Sequence, residues 1–285
     1  MSDKNNGYAN PDALVTTEWL ASNLDETGLR VIEVDEDIEA YTRSHIPGAI
    51  AWDWSKDLHH PIRRDYLDKA GFEDLLSKAG LDDDTTVILY GGNNNWFAAY
   101  AYWLLKLRGF DSVKLLDGGR LKWNAEERET STDLPSIEKT TFTIKGAERP
   151  ELRALRDSVL EKVAAGSTTF VDVRSPDEFS GVKLAPDHLP QEQPYVGGHV
   201  PGAVNVPWAK AANEDGSFRS AAELTEIYGT VGVAGDSEIV AYCRIGERSS
   251  HTWFVLTELL GYGNVANYDG SWTEYGSLVG APVER

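Results

Sequence analysis

A single cysteine, Cys243, stands in the run Cys243-Arg-Ile-Gly-Glu-Arg-Ser249, where two arginines follow it within five residues. A thiolate is a strong nucleophile, and the positions around it decide whether the thiolate forms. Cys243 directly follows the strand-like run Ile239-Val-Ala-Tyr242 and precedes a helical stretch. In an open α/β sheet, ligands bind beyond the carboxyl ends of the strands. A tight loop between a strand end and a helix start turns several backbone N–H groups inward and binds an anion. The same field is expected to lower the thiol pKa. Gly246 allows a backbone bend that a side chain would resist. These residues specify covalent chemistry at Cys243 on an anionic group. The substrate would be held by the loop Arg244, Ile245, Gly246, Glu247, Arg248 and Ser249.

The chain around this loop is acidic. Its 285 residues carry a formal net charge of −19, so the two loop arginines stand out. That charge argues against nucleic acid, which wants a basic surface, and against anionic lipid. One cysteine permits no internal disulfide and no multi-cysteine metal site. The first ten residues are polar and lack the apolar core of a signal peptide, and no run approaches the length of a membrane helix. A cytoplasmic protein is expected, with no cofactor, no membrane and no nucleic-acid partner. A hydrophobic share of 41%, nine Trp and twelve Tyr supply ample core material.

The elements that position the loop occur twice. Tyr41-Thr-Arg-Ser-His45-Ile-Pro-Gly-Ala49 matches Tyr195-Val-Gly-Gly-His199-Val-Pro-Gly-Ala203. Thr86-Val-Ile-Leu-Tyr90 matches Glu238-Ile-Val-Ala-Tyr242, and Leu116-Asp-Gly-Gly-Arg-Leu-Lys-Trp123 matches Tyr268-Asp-Gly-Ser-Trp-Thr-Glu-Tyr275. The offsets are 154, 152 and 152 residues, which is the mark of a duplicated domain rather than a solenoid.

In the second copy, strands are expected at 169–173, 203–206, 239–242 and 265–268. Helices are expected at 152–165, 221–229 and 249–260, with another starting at the Ser175-Pro176-Asp-Glu178 capping box. Such alternation predicts an α/β fold: two domains, each a mainly parallel sheet flanked by helices on both faces. The expected boundaries are 10–130, a linker at 131–150 in which Phe142–Ile144 can form a short strand, and 151–285. The first copy carries Gly91-Gly-Asn-Asn-Asn95-Trp96 where the second carries its thiol loop, so it is expected to be non-catalytic.

Cys243–Ser249 resembles the active-site loop of the rhodanese family, the thiosulfate sulfurtransferases. The segments Tyr195–Ala203 and Val265–Tyr275 are similar to that family's two signatures, and the resemblance spans about the whole chain. It implies a tandem-domain enzyme in which Cys243 attacks the outer sulfur of a donor such as thiosulfate, releases sulfite and carries a persulfide. The sulfur then passes to cyanide or another thiol, a protein thiol among them. The physics agrees, because a dianionic donor and a persulfide anion both need the positive charge and N–H groups of such a loop.

Arginine directly after the cysteine is typical of the family's thiosulfate users, whereas mercaptopyruvate users more often place glycine there. Two departures stand out. Ile245 and Glu178 replace basic residues of the animal thiosulfate enzymes. Three alternatives remain. A mercaptopyruvate-type enzyme differs in its donor. A thiol-dependent phosphatase puts five residues between cysteine and arginine, against four here. A non-catalytic sulfur-binding module would not need to keep Cys243 and both arginines.

Other residues read as structural. His45 and His199 recur in both copies, including the one without a thiol, so they are expected to fix a turn. Asp172 and Arg174 read as a local pair that orders a loop. Trp208 fits a pocket wall or the core equally well. The adjacent His59 and His60 read as a solvated loop, and His251 as surface or packing.

Overall fold

The computed structural model describes residues 6–186 and 193–285. It divides into two compact units. The first comprises Asp12–Pro150 and Ala212–Phe218. The second comprises Met1–Pro11, Glu151–Ala211 and Arg219–Arg285.

The first unit contains strands β1 (Leu14–Val15), β2 (Leu29–Glu33), β3 (Ile50–Ala51), β4 (Thr86–Tyr90) and β5 (Val113–Leu116). Helices α1 (Thr17–Ser22), α2 (Ala40–Arg43), α3 (Lys69–Lys78), α4 (Trp96–Leu107) and α5 (Gly119–Ala125) alternate with them. The sheet is parallel throughout, in the order β1-β5-β4-β2-β3. Its central strand β4 is an apolar run buried on both faces, as a parallel sheet requires. Helix α4 is buried almost all round, and its residues are apolar to match.

Residues 131–150 belong to the first unit and form no ladder strand. The Phe142 and Ile144 N–H groups donate instead to side chains of α3, at 2.9 Å to Ser77 Oγ and 3.0 Å to Glu73 Oε1.

The second unit repeats the plan. Its strands are β6 (Arg153–Ala154), β7 (Thr169–Asp172), β8 (Val204–Asn205), β9 (Ile239–Tyr242) and β10 (Val265–Tyr268), again all parallel in the order β6-β10-β9-β7-β8. Its helices are α6 (Arg156–Ala165), α7 (Pro176–Phe179), α8 (Ala221–Gly229), α9 (Glu247–Phe254) and α10 (Ser271–Tyr275). The expected capping box is formed, Ser175 receiving the Glu178 N–H and Glu178 receiving the Ser175 N–H. The helix expected from Leu152 begins at Arg156, because Arg153 and Ala154 pair with Asn267 and Tyr268 as an edge strand. A two-residue strand leaves no alternation for a sequence to display. Helix α9 starts two residues before the expected position and continues into a π-helical turn, Val255–Leu259.

The first repeated landmark needs a correction. His45 stacks on Tyr41 at 4.0 Å and its Nδ1 bonds the Tyr41 carbonyl at 2.8 Å. His199 stacks on Phe179 at 3.6 Å and bonds the Phe179 carbonyl at 2.9 Å. The counterpart of Tyr41 is therefore Phe179, at the end of α7, and not Tyr195, which is 88% exposed. Extra residues between Phe179 and His199 hid this, because matching by spacing selected the nearest aromatic. Both histidines hold the chain before a turn, as their presence in both copies suggested.

A pH-dependent contribution arises at the end of β5. Asp117 is half-buried, and its Oδ1 accepts the Phe218 N–H at 2.9 Å. Burial pushes its carboxyl up to about 6, with Asp215 adding to the rise and the Phe218 bond opposing it. A folded-state pKa above the unfolded one means that folding favours the protonated form. Stability should therefore fall as pH rises from about 4 to about 6 and stay flat above, by on the order of 2 kcal/mol. Asp117→Asn keeps an acceptor for Phe218 and should remove that fall. Urea unfolding of both proteins from pH 4 to pH 8 checks it, and parallel profiles would refute the assignment.

Candidate functional site

Cys243 lies directly beyond β9, at the carboxyl edge of the second sheet. Its backbone is tied down on both sides. The Cys243 N–H donates to Ser271 Oγ at 3.0 Å, and its carbonyl accepts the Trp272 N–H at 3.1 Å. The next carbonyl, of Arg244, accepts the Thr273 N–H at 3.0 Å. The loop then reverses at Gly246, whose φ of +102° suits glycine. A Cβ there would sit 2.7 Å from the Asp269 Cα. This reversal brings the Gly246 N–H to 3.1 Å from Sγ, and the Ser249 N–H also bonds the sulfur. The loop and the start of α9 thus form the expected nest, with sulfur at its focus.

The first turns of α9 are polar and buried. Glu247, Arg248, Ser249, Ser250, His251 and Thr252 are all inside the protein. At the start of α4 the counterparts of Arg248, Ser249, Ser250 and His251 are the apolar Trp96, Phe97, Ala98 and Ala99. Buried polar groups are costly unless bonded, and here a network bonds several. Ser249 Oγ donates to Asn267 Oδ1 at 2.6 Å, while Asn267 Nδ2 donates to the Gly246 carbonyl at 3.0 Å and to Ser250 Oγ at 2.9 Å. The network fixes the loop in the shape that surrounds Sγ. Asn267 lies on β10, where nothing in the local sequence marks it as a partner of the loop.

The electrostatics of the loop differ from the sequence expectation. Arg248 is 4% exposed and makes two 3.0 Å hydrogen bonds to the Glu178 carboxylate. Burial alone would push the Glu178 carboxyl up, but Arg248 outweighs it and holds the group below the usual range. Glu178 therefore anchors Arg248. Glu247 also folds inward, placing Oε2 3.6 Å from Sγ. Burial first, and then Glu247, push the Cys243 thiol up, and Arg248 and the Ser249 N–H only oppose that rise. The expectation of a lowered thiol pKa is thus overturned for the free protein. The nest is present, but full burial and a carboxyl beside the sulfur outweigh it.

Arg244 is wholly buried, and burial lowers its pKa. Ile245 is the half-exposed member of the loop.

Asp172 and Arg174 form the expected pair, both at 0% exposure, with Arg174 Nε 2.9 Å from Asp172 Oδ1. The guanidinium also lies over the Trp272 ring at 4.8 Å. Trp208 is half-buried, edge-on to the buried His251 at 5.2 Å. The solvated-loop reading fails for His59, whose Nε2 bonds Tyr100 Oη at 2.7 Å inside a cluster with Trp54 and Tyr66. His60 Nδ1 instead accepts two local N–H groups at 3.1 Å. Among the described residues, no group of His, Cys, Asp and Glu could hold a metal ion.

The corresponding loop of the first unit is filled by its own side chains. Asn93, Asn94 and Asn95 all take left-handed conformations. Asn95 Oδ1 accepts the Gly91 N–H at 2.9 Å, and Asp35 Oδ2 accepts the Gly92 N–H at 2.6 Å. The Asn95 N–H in turn donates to the Gly92 carbonyl at 2.9 Å, so these three N–H groups are bonded within the protein. The ion pair has also moved. Arg120, the counterpart of Trp272, binds Glu33 and Asp35 and lies over the Tyr90 ring.

Comparison with known proteins gives a consistent picture. The family description "Rhodanese-like domain" matches residues 16–126 and again 155–278. A Mycolicibacterium smegmatis protein named "Putative thiosulfate sulfurtransferase" is 59% identical over 97% of this chain and 99% of its own length. The "Sulfur carrier protein TtuD" of Thermus thermophilus is 49% identical over 98% of this chain and 99% of its own. Among solved structures, the anaerobic ergothioneine biosynthesis enzyme of Chlorobium limicola, in complex with trimethyl histidine, superposes with a TM-score of 0.82 at 25% identity. It covers 97% of this chain and 71% of that one. YnjE gives a TM-score of 0.83 at 26% identity, covering 98% and 70%.

Proposed function

The chain belongs to the rhodanese family, with two rhodanese-like domains, and on that premise we propose that it moves a sulfane sulfur from thiosulfate to cyanide or a thiol acceptor through a persulfide on Cys243. The observation that carries this reading is the placement of Sγ at the focus of a strand-to-helix loop, with the Gly246 N–H at 3.1 Å. An anionic sulfur there is stabilised by fixed N–H groups that need no rearrangement.

The reaction has two halves. The Cys243 thiolate attacks the outer sulfur of thiosulfate, the bond to the inner sulfur breaks, and sulfite leaves with the electron pair. The terminal sulfur of the resulting persulfide, still anionic, is then taken by the acceptor, and the thiolate returns. The site residues are Cys243 as nucleophile and Arg244, Ile245, Gly246, Glu247, Arg248 and Ser249 around the substrate. The relative named as a sulfur carrier supports a protein thiol as one acceptor. Four residues between Cys243 and Arg248 favour a sulfur atom over a phosphate. Among the described residues no helix is long and apolar enough to cross a membrane, and we assign the protein to the cytoplasm.

The test is thiocyanate formation from cyanide, with thiosulfate and mercaptopyruvate as alternative donors. Thiosulfate should be the better donor by kcat/KM. Preference for mercaptopyruvate would reassign the donor. Hydrolysis of para-nitrophenyl phosphate without thiocyanate formation would replace the reading altogether.

A further inference from the structure

Glu247 is a carboxylic acid placed where an anion-binding loop has least use for one. It sits in the first turn of α9, 1% exposed, with Oε2 3.6 Å from Sγ. Its other oxygen, Oε1, is buried without a hydrogen-bond partner among the described residues. A permanent carboxylate in that position would repel a dianionic donor and a persulfide anion alike. Two acidic groups buried in contact cannot both be ionised, so they titrate as a pair.

We propose that Cys243 and Glu247 share one proton, held on sulfur in the free enzyme and on Glu247 while the enzyme carries the transferred sulfur. This rests on the sulfurtransferase reading for its second half only. The step balances without any outside reagent. The thiol gives its proton to the Glu247 carboxylate, leaving a thiolate beside a neutral carboxylic acid. The thiolate forms a bond to the donor's outer sulfur, the donor's own bond to that sulfur breaks, and the leaving group departs with the electron pair. The negative charge now lies on the persulfide, and the Glu247 O–H donates to it. When the acceptor removes the outer sulfur, the thiolate is restored and recovers its proton from Glu247. The carboxyl is thus neutral whenever the sulfur is anionic.

The surroundings support this exchange from each packed element. Arg244 from the loop and Arg248 from α9 favour the charged form of both partners, and Glu178 on α7 neutralises Arg248 in turn. Asp269, in the turn after β10, closes over Gly246 with its charge held by Arg153 at 2.8 Å. On β7 the Asp172–Arg174 pair is internally neutral. The pair Cys243 and Glu247 therefore holds one net negative charge beside Arg244, among neighbouring charges that are paired with one another on α7, α9, β7 and the turn after β10.

The experiment compares wild type with Glu247→Gln. In the free enzyme, the rate of Cys243 alkylation by iodoacetamide is followed against pH. Removing the carboxylate should move the thiolate limb to lower pH and speed alkylation near pH 8 by about tenfold, the effect of a one-unit shift. Superimposable profiles would overturn the proposal. Infrared difference spectra on loading with thiosulfate should show the carbonyl band of a protonated carboxyl in wild type and none in the variant. A persulfide formed without that band would also overturn it. Should Glu247→Gln fail to fold, Glu247→Asp withdraws the carboxylate from Sγ and must shift the alkylation profile in the same direction. If the alkylation profiles separate but thiosulfate adds no sulfur to wild type, the shared proton stands and the sulfurtransferase reading falls.

Discussion

Replacing Cys243 with serine should abolish sulfur loading. Wild-type protein incubated with thiosulfate should gain about 32 Da, the mass of one sulfur atom bound covalently, and lose it on adding cyanide. Cys243→Ser should gain nothing, and its thiocyanate production should fall by at least about 10³-fold, as expected when the covalent nucleophile is removed. No other residue can take over the role, because the chain has no second thiol. The fold should be unaffected. Serine is close to cysteine in size, and the Ser271 and Trp272 hydrogen bonds at this position use the backbone. Peptide mapping of the loaded protein decides the matter. Added mass on any peptide without Cys243 would end the proposed mechanism.

Arg248→Ala should cost both stability and activity, and the two losses can be separated. Arg248 and Glu178 are 4% and 2% exposed at their side chains and doubly hydrogen-bonded. Removing one member of such a pair strands a buried charge, which typically costs about 3–5 kcal/mol. The loss should appear in the unfolding of the second unit, because both residues belong to it. A volume-matched double variant, Arg248→Met with Glu178→Leu, removes both charges and should recover most of that stability. It should not recover the activity. Losing one cation beside a developing anion costs on the order of 10²-fold in kcat/KM. A double variant both stable and fully active would assign Arg248 to structure alone. A single variant as stable as wild type would mean that Glu178 finds another partner.

Much of the architecture was legible in the chain because it depends on local rules. Strand β9 is an uninterrupted apolar run, so a buried parallel strand followed. Ser175-Pro176-Asp-Glu178 spelled a capping box, and the box is formed. The duplication showed itself through turn residues at fixed offsets. Where those offsets were broken, reading by spacing failed. Extra residues separate Phe179 from His199, so spacing alone selects the exposed Tyr195. Strand β6 is too short to show any period, and His59 lies among rings brought together from distant positions.

The sequence by itself determined which unit holds the chain's single thiol, that a loop of fixed length with two arginines follows it, and the α/β class that puts this loop at a sheet edge. These are matters of residue identity and short-range spacing. Only the tertiary structure decided what surrounds the sulfur. Glu178 arrives from α7 to hold Arg248, and Asn267 from β10 to brace the loop, each far from Cys243 along the chain. Burial then sets their charges. Glu247 reads in the sequence as a diluting negative charge, and the fold instead encloses it 3.6 Å from the thiol. Desolvation depends on every element packed around a group, so the protonation of Cys243 became visible only once the chain was folded.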